Sequence, residues 1–150
     1  MAATAWHFAY GTNMNRAQMS SRAGEILEEH LGRLENYELA FNKKVRGGSA
    51  SGNIRPALGK FVLGVLYKIN ESAFRNLDRF EGVPQHYRRI ELQVQDGKGD
   101  TIAAQAYIAT KVEKGLHPAA YYLKAILDGA AEHGLPADYL ASIQASATAE

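Results

Sequence analysis

The chain has no cysteine, which excludes disulfides, thiolate nucleophiles and cysteine-based zinc sites without placing it in any compartment. It also lacks an apolar run long enough to span a bilayer, and its start, Met1-Ala2-Ala3-Thr4-Ala5-Trp6, has neither the basic head nor the long apolar core of a secretory signal. An excess of one charge is missing too: 17 Lys and Arg stand against 16 Asp and Glu. A formal charge of +1 gives no general attraction to nucleic acid or an anionic membrane. The five histidines show no ligand spacing, and Glu28-Glu29-His30 lacks the second histidine of a zinc-protease motif, so no metal is expected. These absences leave a soluble, cytoplasmic protein as the expectation. With 46% hydrophobic residues, the 150 residues are expected to form a single domain, 1–150.

What is present begins with Phe8-Ala9-Tyr10-Gly11-Thr12-Asn13-Met14-Asn15. Trp6, Phe8 and Tyr10 alternate as in a strand, Gly11 releases the backbone, and Thr12, Asn13 and Asn15 are good helix caps. Such a turn is either ordinary strand-to-helix punctuation or a pocket whose exposed N–H groups suit a carboxylate or a developing oxyanion. Met14, Met19 and Ile26-Leu27 then space one or two short helical pieces interrupted near Gly24, with Glu28-Glu29-His30 on a solvated helix face. Arg16 and Arg22 are surface arginines or anion anchors near that helix. Tyr37, Leu39 and Phe41 mark a half-buried strand over 34–42. Beyond it Lys43, Lys44 and Arg46 read as a solvated edge or weak anion patch. The run Gly47-Gly48-Ser49-Ala50-Ser51-Gly52 reads as a flexible loop or one that closes over a ligand, and not as a P-loop, because no Gly-Lys-Ser/Thr ends it.

Residues 59–69 are apolar on both faces, the pattern of a central strand. Asn70 caps a helix whose stripe, Ala73, Phe74, Leu77 and Phe80, is expected to pack on the sheet. Gly82 and Pro84 end that helix, which leaves Glu81 at its C-terminus beside Phe80 and Val83. The negative end of the helix dipole and apolar neighbours both disfavour ionisation, and can carry a glutamate from about 4.3 toward the 6–7 range of a general base. A surface glutamate at a helix end is the alternative. Asp78, on the same turn, does not oppose Glu81 across a sugar as a glycosidase pair would, and is assigned to Arg75 or Arg79.

Ile90, Leu92 and Val94, then the turn residues 96–100, then Ile102, Ala104, Ala106 and Ile108 make a β-hairpin. Tyr87 stands at its entrance, and Tyr107 faces the opposite side from Ile102 and Ile108, toward a cavity if the sheet curls into a barrel. Arg88-Arg89 point to opposite faces, so solvation or carboxylate pairing is expected of them. His117-Pro118 opens a helix with Tyr122, Leu123, Ile126, Leu127 and Ala130 inward. Gly134 and Pro136 separate it from a last helix carrying Tyr139, Leu140 and Ile143, with a frayed tail over 145–150. Strands separated by helices, with a clear hairpin, argue for the α+β class.

Two of these stretches together carry a resemblance. The Phe8–Met14 segment resembles the Tyr-Gly-Ser-Asn loop of the γ-glutamylcyclotransferase-like superfamily, and Leu77-Asp78-Arg79-Phe80-Glu81-Gly82-Val83 resembles its Leu-Asp-x-x-Glu-Gly-Val segment. The similarity extends to the Tyr37–Phe41 strand, Gly129-Ala130 and Gly134-Leu135-Pro136. Thr12 departs from the usual serine, keeping a hydroxyl and N–H but adding a methyl. The resemblance implies a small mixed β-barrel with helices packed outside, and cyclisation of γ-glutamyl compounds to 5-oxoproline with release of an amine or amino acid. It implies Glu81 as catalytic acid and base, and Tyr10, Gly11, Thr12, Asn13, Tyr87, Tyr107 and Tyr122 as substrate-binding residues. No cofactor is implied. The implied partner is a small γ-glutamyl molecule, with no nucleic acid and no membrane, and with a homodimer left open. The contrasting expectation is a catalytically silent module that binds amino-acid-like ligands and uses Glu81 to recognise an ammonium group.

Overall fold

In the computed structural model, which describes residues 3–148, five strands close into a barrel. They are β1 (Thr4–Ala9), β2 (Glu28–Lys44), β3 (Ala50–Asn70), β4 (Tyr87–Asp96) and β5 (Thr101–Ala109), ordered β1-β3-β2-β4-β5 around the wall. β5 closes on β1 in parallel, and the other neighbours pair antiparallel. Four helices accompany it: α1 (Arg16–Ala23), α2 (Glu71–Glu81), α3 (Ala120–Glu132) and α4 (Ala137–Thr148). The α+β barrel expected from the resemblance is the fold observed.

The two-sided apolar pattern of β3 has the expected consequence. It lies between β1 and β2, and Val62, Val65, Leu66, Tyr67 and Ile69 are all fully buried. Full burial of side chains of this size stabilises by about 1.5–3 kcal/mol each. The β4–β5 hairpin runs in register from Tyr87 against Ala109 to Gln95 against Thr101, as the alternation predicts. Asn70 caps α2 by accepting the Ala73 N–H at 2.9 Å, and Gly82 ends that helix in the left-handed region at φ 69°.

Several expectations are corrected. Glu28-Glu29-His30 belong to β2, not to a helix: α1 stops at Gly24, and Leu27 N–H bonds the Lys68 carbonyl at 2.9 Å, which pulls the following residues into the β3 ladder. Phe80 does not join Ala73, Phe74 and Leu77 in the core. It is 52% exposed, with the Arg22 guanidinium 4.1 Å above its ring. α3 begins at Ala120, after His117-Pro118, because the His117 carbonyl accepts the Ala50 N–H at 3.0 Å and its ring bonds the Ala147 carbonyl, tying this segment to β3 and α4. Ala145–Thr148 are helical, with Ala147 buried. The rest of the tail expected to fray lies outside the described residues.

Candidate active site

The site is built around the end of β1. After Tyr10 and Gly11, a single tight turn over Thr12–Met14 leads to Asn15, whose side chain caps α1 by accepting the Gln18 N–H at 3.1 Å. Within the turn, Met14 N–H bonds the Gly11 carbonyl and Asn15 N–H bonds the Thr12 carbonyl, each at 3.0 Å. The N–H groups of Thr12 and Asn13 come before the first of these bonds, so they are the turn's unspent donors. Both residues line a cavity of about 530 Å³, a volume within the range of small-molecule pockets.

Three elements hold the turn in place, two of them from far along the chain. The Tyr67 hydroxyl, from β3, donates to the Asn13 carbonyl at 2.8 Å. Arg22, from α1, donates through Nη1 to Thr12 Oγ1 at 2.7 Å and Asn13 Oδ1 at 2.8 Å, and through Nη2 to Gln18 Oε1 at 2.9 Å. Gly129, from α3, approaches so closely that a Cβ there would lie 2.5 Å from the Asn15 nitrogen. Arg22 lines the cavity, whereas Arg16 is spent outside it on Glu29 at 3.0 Å. Of the two arginines weighed as anion anchors, only Arg22 reaches the site.

Glu81, the last residue of α2, faces the same cavity half-buried. Burial pushes its pKa up to about 7, partly opposed by the Arg22 guanidinium. Loss of hydration inside the cavity dominates, while Phe80, invoked from sequence as an apolar neighbour, turns largely to solvent.

The four tyrosines all line the cavity, but their hydroxyls are not equivalent. Tyr10 donates to the Tyr107 carbonyl at 2.6 Å, and Tyr107 donates to Asp78 Oδ1 at 2.6 Å. Tyr87 donates to the Gly52 carbonyl at 2.7 Å, so the Ser51 hydroxyl, also 2.7 Å away, is the donor toward Tyr87. Tyr122 instead accepts the Gly52 N–H at 2.7 Å, which leaves its own proton available. Burial raises the pKa of all four, Tyr122 to about 12, so they are protonated at neutral pH. Asp78 is therefore not the partner of Arg75 or Arg79: it accepts from Tyr107 and pairs with Arg89 Nη2 at 3.4 Å.

Every site residue singled out from the sequence reaches this one cavity. Ser51 and Gly52, read from sequence as part of a flexible or ligand-closing loop, lie instead in β3, against Tyr87 and Tyr122. Sequence reasoning missed His86; of its two readings of Lys43, Lys44 and Arg46, a solvated edge or a weak anion patch, the cavity that all three line fits the second. No local pattern marks these residues; their neighbours come from far along the chain.

A family model described as AIG2-like matches residues 61–143. Over 147 residues the chain is 31% identical to the γ-glutamylcyclotransferase of Mus musculus, covering 93% of this chain and 77% of that one. The chain belongs to the γ-glutamylcyclotransferase family. A solved structure of a γ-glutamyl cyclotransferase superposes with a TM-score of 0.88 at 29% identity, covering 95% of this chain and 88% of that one. A γ-glutamylaminecyclotransferase of Rattus norvegicus is 37% identical over 59 residues, covering 35% of this chain and 40% of that one. The stretch matched by the family model contains Glu81, Tyr87, Tyr107 and Tyr122. Among the described residues of this γ-glutamylcyclotransferase-family chain, no helix is long and apolar enough to cross a membrane.

Proposed function

We propose that the chain converts γ-glutamyl amino acids into 5-oxoproline and the free amino acid, with Glu81 carrying the proton. The observation behind this reading is a carboxyl group titrating near 7 in a cavity that also presents the unspent N–H groups of Thr12 and Asn13. The substrate's α-amino nitrogen, once deprotonated to the free amine, attacks its own γ-carbonyl carbon, forming the ring C–N bond. Ionised Glu81 takes the proton that nitrogen must lose, then returns it to the departing nitrogen as the original amide C–N bond breaks. Atoms and charge balance without water or a covalent enzyme intermediate. A pKa near the working pH lets one carboxyl serve in both roles.

The turn N–H groups, with Arg22 behind them, take the negative charge of the glutamyl portion, and among the four tyrosines expected from sequence the Tyr122 hydroxyl is the donor free to reach it. Tyr10, Tyr87 and Tyr107 shape the wall, since their protons are already given to protein oxygens. Holding the chain bent so that amine and carbonyl meet supplies orientation, which can be worth several kcal/mol of barrier, on the order of 7–11 in well-aligned cases. The long match is to a relative named γ-glutamylcyclotransferase, whereas the relatives named for γ-glutamylamines match only 35% and 39% of this chain, which supports the reading over an amine-specific one.

The test is 5-oxoproline release from a panel of γ-glutamyl amino acids and γ-glutamylamines, beside folded Glu81→Gln. Release by wild type and its loss in the variant is the expected result. No release from any substrate overturns the reading, and binding without turnover identifies a silent module. Full activity in Glu81→Gln removes the proton role from Glu81.

A further inference from the structure

The molecule as a whole is nearly neutral, with 17 Lys and Arg against 16 Asp and Glu, but its cavity is not. Arg22, Lys43, Lys44 and Arg46 line it, and Glu81 is the one carboxylate among its described lining residues. Elsewhere along β2 and β3 the cations are matched: Arg33 with Glu35, Arg55 and Lys60 with Glu38, Lys68 with Glu28. Among the described residues, Lys43, Lys44 and Arg46 take no carboxylate partner, although they follow one another along the end of β2 and the loop after it. Three cations that line one cavity without a carboxylate partner favour an arriving anion.

The position of this group relative to Glu81 follows from two contacts. Lys43 Nζ donates to the Lys44 carbonyl at 2.9 Å and to Nδ1 of His86 at 3.2 Å. An ammonium cannot accept, so Nδ1 carries the lone pair and Nε2 carries the ring proton. The His86 ring in turn packs over Gly82, where a Cβ would come within 2.7 Å of Cδ2. The cationic group therefore begins beside the residue that follows Glu81. Arg22, meanwhile, is spent on the Gly11–Asn13 side of the cavity. The glutamyl end and the leaving group thus have separate positive surroundings, and the one on the Lys43 side has more charge than a single carboxylate requires.

We infer that the chain prefers γ-glutamyl substrates whose leaving group is an acidic amino acid, with its two carboxylates taken by Lys43, Lys44 and Arg46. This rests on the cyclotransferase reading of the site. Lys44 and Arg46 are exposed, so each pairing is of the weak, screened kind. The side-chain carboxylate that an acidic leaving group adds takes one or two such pairings, a preference of about two- to fivefold.

γ-Glutamylglutamate and γ-glutamylglutamine have the same shape and differ by one negative charge. Their kcat/KM values are to be compared in wild type, Lys44→Gln/Arg46→Gln and Lys44→Arg, at low and high salt. The expected result is a wild-type preference for γ-glutamylglutamate of about two- to fivefold at low salt. It falls toward parity at high salt and in the double variant, and survives in Lys44→Arg. Parity in wild type at low salt, or a preference that the double variant retains, overturns the inference. If neither compound yields 5-oxoproline, the cyclotransferase reading fails, and calorimetric titration of the same two compounds decides the charge preference separately. Tighter binding of γ-glutamylglutamate, weakened in the double variant, supports it, and equal affinities overturn it.

Discussion

Gly129→Ala isolates the mechanical link between α3 and the turn at Thr12–Met14. In an ordinary helix this substitution stabilises, since alanine exceeds glycine in helix propensity by about 1 kcal/mol. Here the added Cβ would meet the Asn15 nitrogen at 2.5 Å, the Met14 carbonyl carbon at 2.8 Å and Asn15 Cα at 3.1 Å, all of them backbone atoms. No rotamer change relieves backbone against backbone. Ordinary contact at such a site begins near 3.4 Å, so helix and turn must separate by roughly 1 Å, with loss of packing along the seam. Overpacking of this kind costs about 1–3 kcal/mol, enough to reverse the propensity gain. The same shift displaces the Thr12 and Asn13 donors, and a displacement of about 1 Å at a reacting site can lower turnover on the order of a hundredfold. Urea unfolding, read beside 5-oxoproline release, measures both effects. A Gly129→Ala protein as stable as wild type, with unchanged turnover, would refute the claim that close approach of α3 positions the turn.

Glu81→Gln should raise stability above neutral pH while abolishing turnover. The folded-state pKa of about 7 lies above the usual glutamate value of 4.5, so stability is full below the unfolded pKa and lost as pH rises from there through 7. Removing the charge restores about 1–3 kcal/mol at pH near 8, and a denaturation series in which the variant gains nothing there would contradict the burial argument. His7 has the opposite dependence. It is buried, with a pKa lowered from 6.5 to about 4 by loss of hydration, so the unfolded chain takes the proton first. Stability therefore falls as pH drops from 6.5 to 4 by roughly 3 kcal/mol, a slope that His7→Gln should flatten in acid unfolding curves. Tyr122→Phe strands the Gly52 N–H and removes the free hydroxyl, so kcat/KM should fall about tenfold or more, with a stability cost of about 1–3 kcal/mol. Unchanged kinetics would place the binding hydroxyl elsewhere.

The local grammar of the chain was enough to determine much of this architecture. Asn70 and Gly82 bound α2 because a side-chain acceptor and a residue free to take positive φ act on their own helix ends. The alternation over 90–108 specifies a hairpin because a strand's period of two needs no distant partner. Two short stretches, around Gly11 and Glu81, sufficed to point to the family. Tertiary structure decided the remainder, wherever the outcome depended on which segment arrived alongside. Residues 28–30 became strand because Lys68 offered a carbonyl to Leu27. Asp78 went to Tyr107 and Arg89 and not to its helical neighbours. The tyrosines divide into three committed hydroxyls and one free donor only once Gly52, Ser51, Asp78 and the Tyr107 carbonyl stand beside them. Lys43, Lys44 and Arg46 became part of the cavity because barrel closure and α2 bring His86 to them. Periodicity and caps act within a few residues, whereas burial, hydrogen-bond partnership and local charge density are set by topology, between residues tens of positions apart.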